Sequence, residues 1–123
     1  MAAFFVSPLE PGDWRLDPAE LRRRLAERWP AADIRGPDTA EDPYQVRWTI
    51  PIDGPIPIEG ALDAQGDGVT LDGDLPDIAG FARWLAVLAG PQAGLHLYDA
   101  SYTASVPVSP DTPLPALTDP FLA

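Results

Sequence analysis

One histidine, His96, is the residue whose type could support acid–base or nucleophilic chemistry, and it lies between Leu95 and Leu97. With no cysteine and no second histidine, a zinc site of imidazoles and thiolates cannot form within one chain. A Ser-His-Asp arrangement can be drawn from Ser101, His96 and Asp99, but no nucleophile-elbow motif is present. We therefore assign no catalytic residue and predict that the chain is not an enzyme.

A second group of residues approximates the spacing of a calcium-binding loop. Asp63 and Asp67 alternate with Gln65, Gly68 follows, and Asp74 stands at the last ligand position. Gln65 replaces a carboxylate, Asp74 is shorter than the usual bidentate glutamate, and the preceding segment alternates like a strand instead of a helix. The pattern therefore favours an acidic hairpin turn that leads into a capped helix. We predict no metal and no other cofactor, and we keep a calcium-responsive module as an alternative.

The chain has a formal charge of −11, from 19 acidic and 8 basic residues, and every basic residue is an arginine. Negative charge of this size repels nucleic acid and anionic membranes, so we predict neither as a partner. A basic protein surface would be attracted, and its association would be accelerated. The absence of lysine excludes Schiff-base chemistry, and no glycine-rich phosphate loop occurs.

The alternation of residues 95–98 predicts a strand with two different faces. If Leu95 and Leu97 point to the core, His96 and Tyr98 point outward, because successive residues of a strand face opposite sides. Exposed tyrosine is a typical anchor for a protein partner. We therefore predict a partner-binding surface that combines tyrosines with acidic residues. Its members are Asp63, Asp67, Asp72, Asp74, Tyr98, Asp99 and Tyr102.

Two segments carry the signals of helices. Residues 17–29 begin with Asp17 as a cap and Pro18 at a position where no N–H is required. Residues 74–89 place apolar side chains on one broad helical face. Gly80 lies inside this second helix, where glycine lowers helix stability by about 1 kcal/mol relative to alanine. A glycine kept at this cost predicts a close packing contact at Gly80. Strands are predicted at residues 4–6, 44–50, 56–62, 69–71, 95–98 and 102–108, with a short extended piece at 33–35.

These elements predict an α+β fold, with two helices packed on a mostly antiparallel sheet of about five to six strands. A ferredoxin-like variant with extra strands is one candidate topology. Residues 1–108 are interpreted as a single domain and residues 109–123 as a proline-rich C-terminal tail. We expect this tail to be extended and mobile, or to be laid along the surface by its apolar side chains. Those side chains are Leu114, Leu117, Phe121 and Leu122.

Charge, size and the scarcity of catalytic residue types favour a non-enzymatic acidic protein that binds a protein partner with a basic surface. An immunity-type inhibitor of a toxin or effector fits this description as a class. A small-molecule-binding domain or hydrolase, with a pocket between sheet and helices, is the other alternative. No apolar run approaches the ~20 residues that cross a bilayer, and the first residues lack the basic region of a signal peptide. We expect a cytoplasmic protein, and the sequence leaves its oligomeric state open.

Overall fold

The computed structural model describes residues 3–8, 10, 14–37 and 39–122 of the 123-residue chain. Within these ranges seven strands and three helices follow one another, one helix more than predicted. The helices are α1 (Pro18–Arg28), α2 (Leu75–Ala89) and α3 (Leu114–Leu122), and a single 3-10 turn covers Pro91–Ala93. The strands are β1 (Ala3–Pro8), β2 (Asp33–Arg35), β3 (Tyr44–Ile50), β4 (Ile58–Asp63), β5 (Val69–Asp72), β6 (Leu95–Asp99) and β7 (Ser105–Pro107).

All seven strands form one sheet in the order β2-β3-β4-β5-β1-β6-β7, and each neighbouring pair is antiparallel. The α+β class is confirmed, while the sheet is wider than the five to six strands predicted. Strands β2 to β5 form a meander of consecutive neighbours. Strand β1 lies between β5 and β6, so the first strand of the chain stands near the middle of the sheet.

Helix α1 begins where the sequence predicts. The carboxylate of Asp17 accepts a hydrogen bond from the backbone N–H of Ala19 at 3.1 Å, which satisfies a donor that the first turn leaves free. The guanidinium of Arg23 donates to Glu20 at distances of 2.7 to 3.2 Å. This hydrogen bonding holds the pKa of the Glu20 carboxyl below its ordinary value. Both side chains are solvent-exposed, so we expect the pair to add little to stability.

Helix α2 buries the face that the apolar spacing predicts, with Ile78, Phe81 and Leu85 fully enclosed. The interpretation of Gly80 is wrong. Gly80 is exposed, and a Cβ atom built on it would have open space within 4 Å. The glycine therefore makes no close contact and only raises the flexibility of the unfolded chain.

We expect Gly80→Ala to stabilise the protein by about 0.5–1 kcal/mol, because alanine reduces backbone entropy in the unfolded state and meets no obstacle in the helix. Urea denaturation measures the difference in free energy of unfolding. Gly94→Ala is the matched control. A Cβ there also enters open space, but the backbone φ of +64° opposes a side chain. The control should lower stability, and equal effects of the two substitutions would contradict this explanation.

The core lies on one face of the sheet, between the sheet and the helices. The indole of Trp48 on β3 is fully buried there and stacks on Phe81 of α2 at a centroid distance of 5.7 Å. Gly60 of β4 is its register partner. A Cβ atom on Gly60 would contact the indole at 2.5 Å from Cζ2 and Nε1. The absence of a side chain at Gly60 therefore creates the space that the Trp48 ring fills.

The C-terminal segment was predicted to be extended and mobile, and this is wrong. It forms helix α3, whose Leu117 is fully buried and whose Phe121 meets Phe4 of β1 edge to face at 5.5 Å. The alternative that apolar side chains hold the segment on the surface was closer to the structure. Pro115 lies in the first turn of the helix, where a missing N–H costs nothing, and Pro120 lies only two residues from its end. Residue 123 lies outside the described residues.

Candidate functional site

The sheet face opposite the helices is a surface of the fold that no described helix covers. The buried side chains of the helices all join one core cluster on the other face. One row of residues crosses the uncovered face with a single residue from each strand, which we call the open-face row. In register order it consists of Arg35, Arg47, Ala61, Thr70, Phe5, Tyr98 and Ser105.

Two aromatic residues of the open-face row and one from the turn after β6 form a continuous stack of three rings. Phe5 of β1 and Tyr98 of β6 lie 5.5 Å apart between ring centroids, with an interplanar angle of 27°. Tyr102, after β6, stacks on Tyr98 at 5.5 Å with an angle of 9°. The prediction that Tyr98 faces away from the core is therefore confirmed. We call these three rings the aromatic stack.

Tyr102 is the most exposed member of the aromatic stack, with 75% of its surface open to solvent. Its backbone φ is +53°, a left-handed conformation that is unusual for a bulky side chain. The turn holds it there, because its N–H donates to the Asp99 carbonyl at 3.0 Å. The Asp99 carboxylate accepts from the N–H of Thr103 at 2.7 Å. Asp99, predicted to bind a partner, thus has a structural role in presenting the Tyr102 ring.

A concavity of about 550 Å³ lies beside the aromatic stack on the same face. We call it the Trp14 pocket. Phe5, Ser7, Thr70 and Tyr98 form its sheet side, and Trp14, Arg15, Tyr44, Glu10, Asp63 and Asp67 are among the residues around it. The pocket therefore brings together three of the predicted site residues, namely Asp63, Asp67 and Tyr98.

The hairpin between β4 and β5 does not have the geometry of a calcium loop. One oxygen of Asp63 accepts hydrogen bonds from the N–H groups of Gly66 at 2.8 Å and Asp67 at 3.2 Å, which closes the turn. Asp63 and Asp74 lie at opposite ends of the segment that contains strand β5. Across the described ranges, no three histidine, aspartate or glutamate side chains are grouped to hold a metal ion. The hairpin-turn interpretation of this segment agrees with the structure.

The two remaining acidic residues of the predicted surface lie apart from the Trp14 pocket. Asp72 faces Glu59 across strands β5 and β4 on the open face, and both are acidic. Like charges opposite each other in a sheet repel. Asp74 is exposed just before α2 and makes no side-chain cap bond there. The predicted surface is thus divided into a pocket, an acidic pair and a separate helix end.

His96 does not form the Ser101–His96–Asp99 arrangement that can be drawn from the sequence. Its ring Nδ1 lies 3.1 Å from the Gly94 carbonyl oxygen. In the part of the chain that the structure describes, no hydrogen bond joins His96 to Ser101 or Asp99. Its register partner Ser7 instead pairs with the Tyr98 hydroxyl at 3.0 Å between oxygens.

The chain matches no family model, no curated protein and no solved structure. No helix within the described ranges is long and apolar enough to cross a membrane. Function must therefore be inferred from the side chains of the open face themselves. Those side chains offer rigid aromatic surface, the Trp14 pocket and an excess of carboxylates.

Three residues of this site, Phe5, Trp14 and Tyr44, are not among the residues of the predicted surface. They come from three separate segments, and only the position of β1 beside β6 brings Phe5 against Tyr98. An unbroken alternation of Tyr44, Val46 and Trp48 along β3 would place Tyr44 on the apolar face of the sheet. The register shift between Tyr44 and Val46 interrupts that alternation, so Tyr44 instead lines the Trp14 pocket.

Proposed function

We propose that this protein is a non-enzymatic binder of a protein partner with a basic surface, and that the partner docks on the open face. The observation that carries the proposal is the aromatic stack, which ends in an exposed Tyr102 on a sheet face that no described helix covers. We place it in the class of immunity-type inhibitors of a toxin or effector, acting in the cytoplasm. Small size, acidic charge and a prefolded binding face support that class.

The stack meets the physical requirements of a binding anchor. Aromatic side chains contribute large contact area, and tyrosine adds a hydroxyl that finds a polar partner when it is buried. Stacking on Tyr98 and the tight turn at Asp99 restrict Tyr102 before any partner arrives. Less side-chain entropy is then lost on binding, so more of the contact energy appears as affinity.

The charge distribution favours a basic partner. The facing pair Glu59 and Asp72 forms no ion pair with a cation among the described residues. Two like charges that face each other across strands repel, so we expect the pair to lower the stability of the isolated fold. Arg35 and Arg47 lie on the same face, and each forms an ion pair with a different aspartate, Asp33 and Asp42. A lysine or arginine of the partner opposite Glu59 and Asp72 would relieve the repulsion.

The test is capture of partners in cells of the natural host with tagged protein, followed by binding kinetics. Tyr102→Asn removes the ring but keeps a residue that tolerates a positive φ. We expect this substitution to weaken the affinity for the partner by about 30-fold, which corresponds to a loss of about 2 kcal/mol of binding free energy at an anchor residue. Leu122→Asn is the matched control, since Leu122 is 72% exposed on α3. A partner that binds both variants equally would contradict docking at the stack.

Association kinetics test the proposed electrostatic attraction between the open face and a basic partner. Asp72→Lys should slow association and flatten its dependence on salt, because it removes attraction at the contact surface. Asp119→Lys on α3 changes the net charge by the same amount at an exposed site away from the open face. If the two variants slow association equally, only net charge matters and the location proposed for the basic contact is wrong.

A small-molecule binder is the second candidate, and one observation favours it. The Trp14 pocket, at about 550 Å³, falls within the usual range of ligand sites. It lies on the outer face of the sheet, whereas the predicted pocket was between the sheet and the helices. Thermal shift against a panel of metabolites separates the candidates. A saturable shift that Tyr98→Ala abolishes would favour the small molecule.

We also propose that the fold is a ferredoxin-like variant. Strands β4, β5, β1 and β6 lie side by side, with α1 after β1 and α2 after β5. That is the βαββαβ arrangement of such folds if β2 and β3 are added at one edge and β7 at the other. A fold of this kind hosts many functions, so it adds no support to either candidate.

A further inference from the structure

We infer that the Trp14 pocket receives an arginine side chain of the protein partner. This inference rests on the proposed function, and it names the chemistry of one contact within the docking surface. The pocket opens on the same face as the aromatic stack and shares Phe5 and Tyr98 with it. A partner seated on the stack would therefore also lie across the pocket.

The aromatic lining suits a guanidinium group. Trp14 and Tyr44 line the pocket, and aromatic faces attract cations, with arginine the most frequent partner. The protein already shows this contact within its own chain. The guanidinium carbon of Arg47 lies 4.7 Å from the ring centroid of Tyr44. A planar guanidinium is thus a group that one ring of the lining, Tyr44, already contacts in this fold.

The charges around the pocket select a cation over an anion. Glu10, Asp63 and Asp67 contribute three carboxylates to the lining, against one guanidinium from Arg15. The Arg47 guanidinium that lies on Tyr44 is already paired with Asp42. One oxygen of Asp63 is taken by the turn, but Asp67 is part exposed and meets Arg15 only at 3.7 Å. That separation exceeds the distance of a charge-assisted hydrogen bond. An incoming guanidinium can therefore bind Asp67 more closely than Arg15 does.

Arg15 allows a test in which opposite ligand charges give opposite results. As a cation at the pocket, it repels an arginine ligand and competes with it for Asp67. Arg15→Gln should therefore raise the affinity for a cation by about threefold, and Asp67→Asn should lower it by about fivefold. For an anionic ligand the same two substitutions would act in the reverse directions.

The experiment is NMR titration of the full chain with N-acetyl-arginine amide. Its matched control is N-acetyl-citrulline amide, which has nearly the same shape and no charge. We expect the indole signal of Trp14 to shift with millimolar affinity for the arginine compound and at least fivefold weaker affinity for citrulline. Unchanged spectra away from the pocket will show that Arg15→Gln and Asp67→Asn remain folded.

Equal binding of the two compounds, no shift of Trp14 at tens of millimolar arginine, or weaker binding to Arg15→Gln would each overturn the inference. These outcomes are distinguishable from failure of the proposed function. If binding of a partner requires Tyr102 but the pocket does not bind the arginine compound, only the assignment of the pocket is overturned. If the pocket binds the arginine compound but no partner is found whose binding requires Tyr102, the proposed docking is overturned and the assignment of the pocket is retained.

Discussion

Gly60→Ala is expected to destabilise the protein by about 3 kcal/mol, because the added methyl group overpacks the core. It would meet the indole of Trp48, which is fully buried and stacked on Phe81. A ring held on several sides cannot swing away as the end of an exposed side chain would. Urea denaturation with an unchanged m-value would measure the loss as a lower midpoint.

Two variants check this explanation. Gly54→Ala places its Cβ at an ordinary 3.5 Å from Ile52 on an exposed bend, so it should change stability by less than about 0.5 kcal/mol. Trp48→Phe makes room for the methyl group and removes an indole N–H that has no hydrogen-bond partner among the described atoms. Gly60→Ala should therefore cost at least about 1 kcal/mol less in the Trp48→Phe background. Strict additivity would show that the two residues do not compete for the same space.

Leu117→Ala should lower the free energy of unfolding by about 3 kcal/mol, although Leu117 lies in a segment rich in proline. Leu117 is fully buried against the core, and removal of a buried leucine side chain leaves a cavity that the surroundings fill only in part. Thermal or urea denaturation gives the difference in free energy of unfolding.

Leu122→Ala is the comparison for this prediction, because it removes the same atoms from a side chain that is 72% exposed on the same helix. It should change stability by less than about 0.5 kcal/mol. If the two leucines behaved alike, the C-terminal segment would be a dispensable extension and not a part of the core. Their difference thus measures how strongly helix α3 is docked.

The helices that the sequence predicts well are those with local signals at both ends. Asp17 and Pro18 mark the start of α1, and Gly90 follows the last residue of α2. Helix α3 carries Pro115 and Pro120, residues that usually argue against a helix. Tertiary contacts made by Leu117 and Phe121 outweigh that local preference, and such contacts leave no short-range pattern.

The candidate site shows the same division between local and distant information. The outward direction of Tyr98 follows from the two-residue period of a strand, and the structure confirms it. The stacking of Phe5 on Tyr98 depends on pairing between strands about ninety residues apart. Trp14 precedes α1, and it reaches the pocket because the Leu16 N–H binds the Gly66 carbonyl at 2.7 Å. Long-range pairings of this kind cannot be derived from spacing along the chain.

The position of strand β1 has a consequence for biosynthesis. Its two neighbours, β5 and β6, end at Asp72 and Asp99, so β1 gains its second neighbour only after the residues up to Asp99 have left the ribosome. Until then the backbone N–H and C=O groups on one edge of β1 have no strand to pair with, and the strand also carries apolar side chains. Unpaired edges of this kind promote aggregation. Pairing across such a long stretch of sequence also slows folding. A nascent chain of this protein would therefore be prone to aggregate through β1 until β6 emerges.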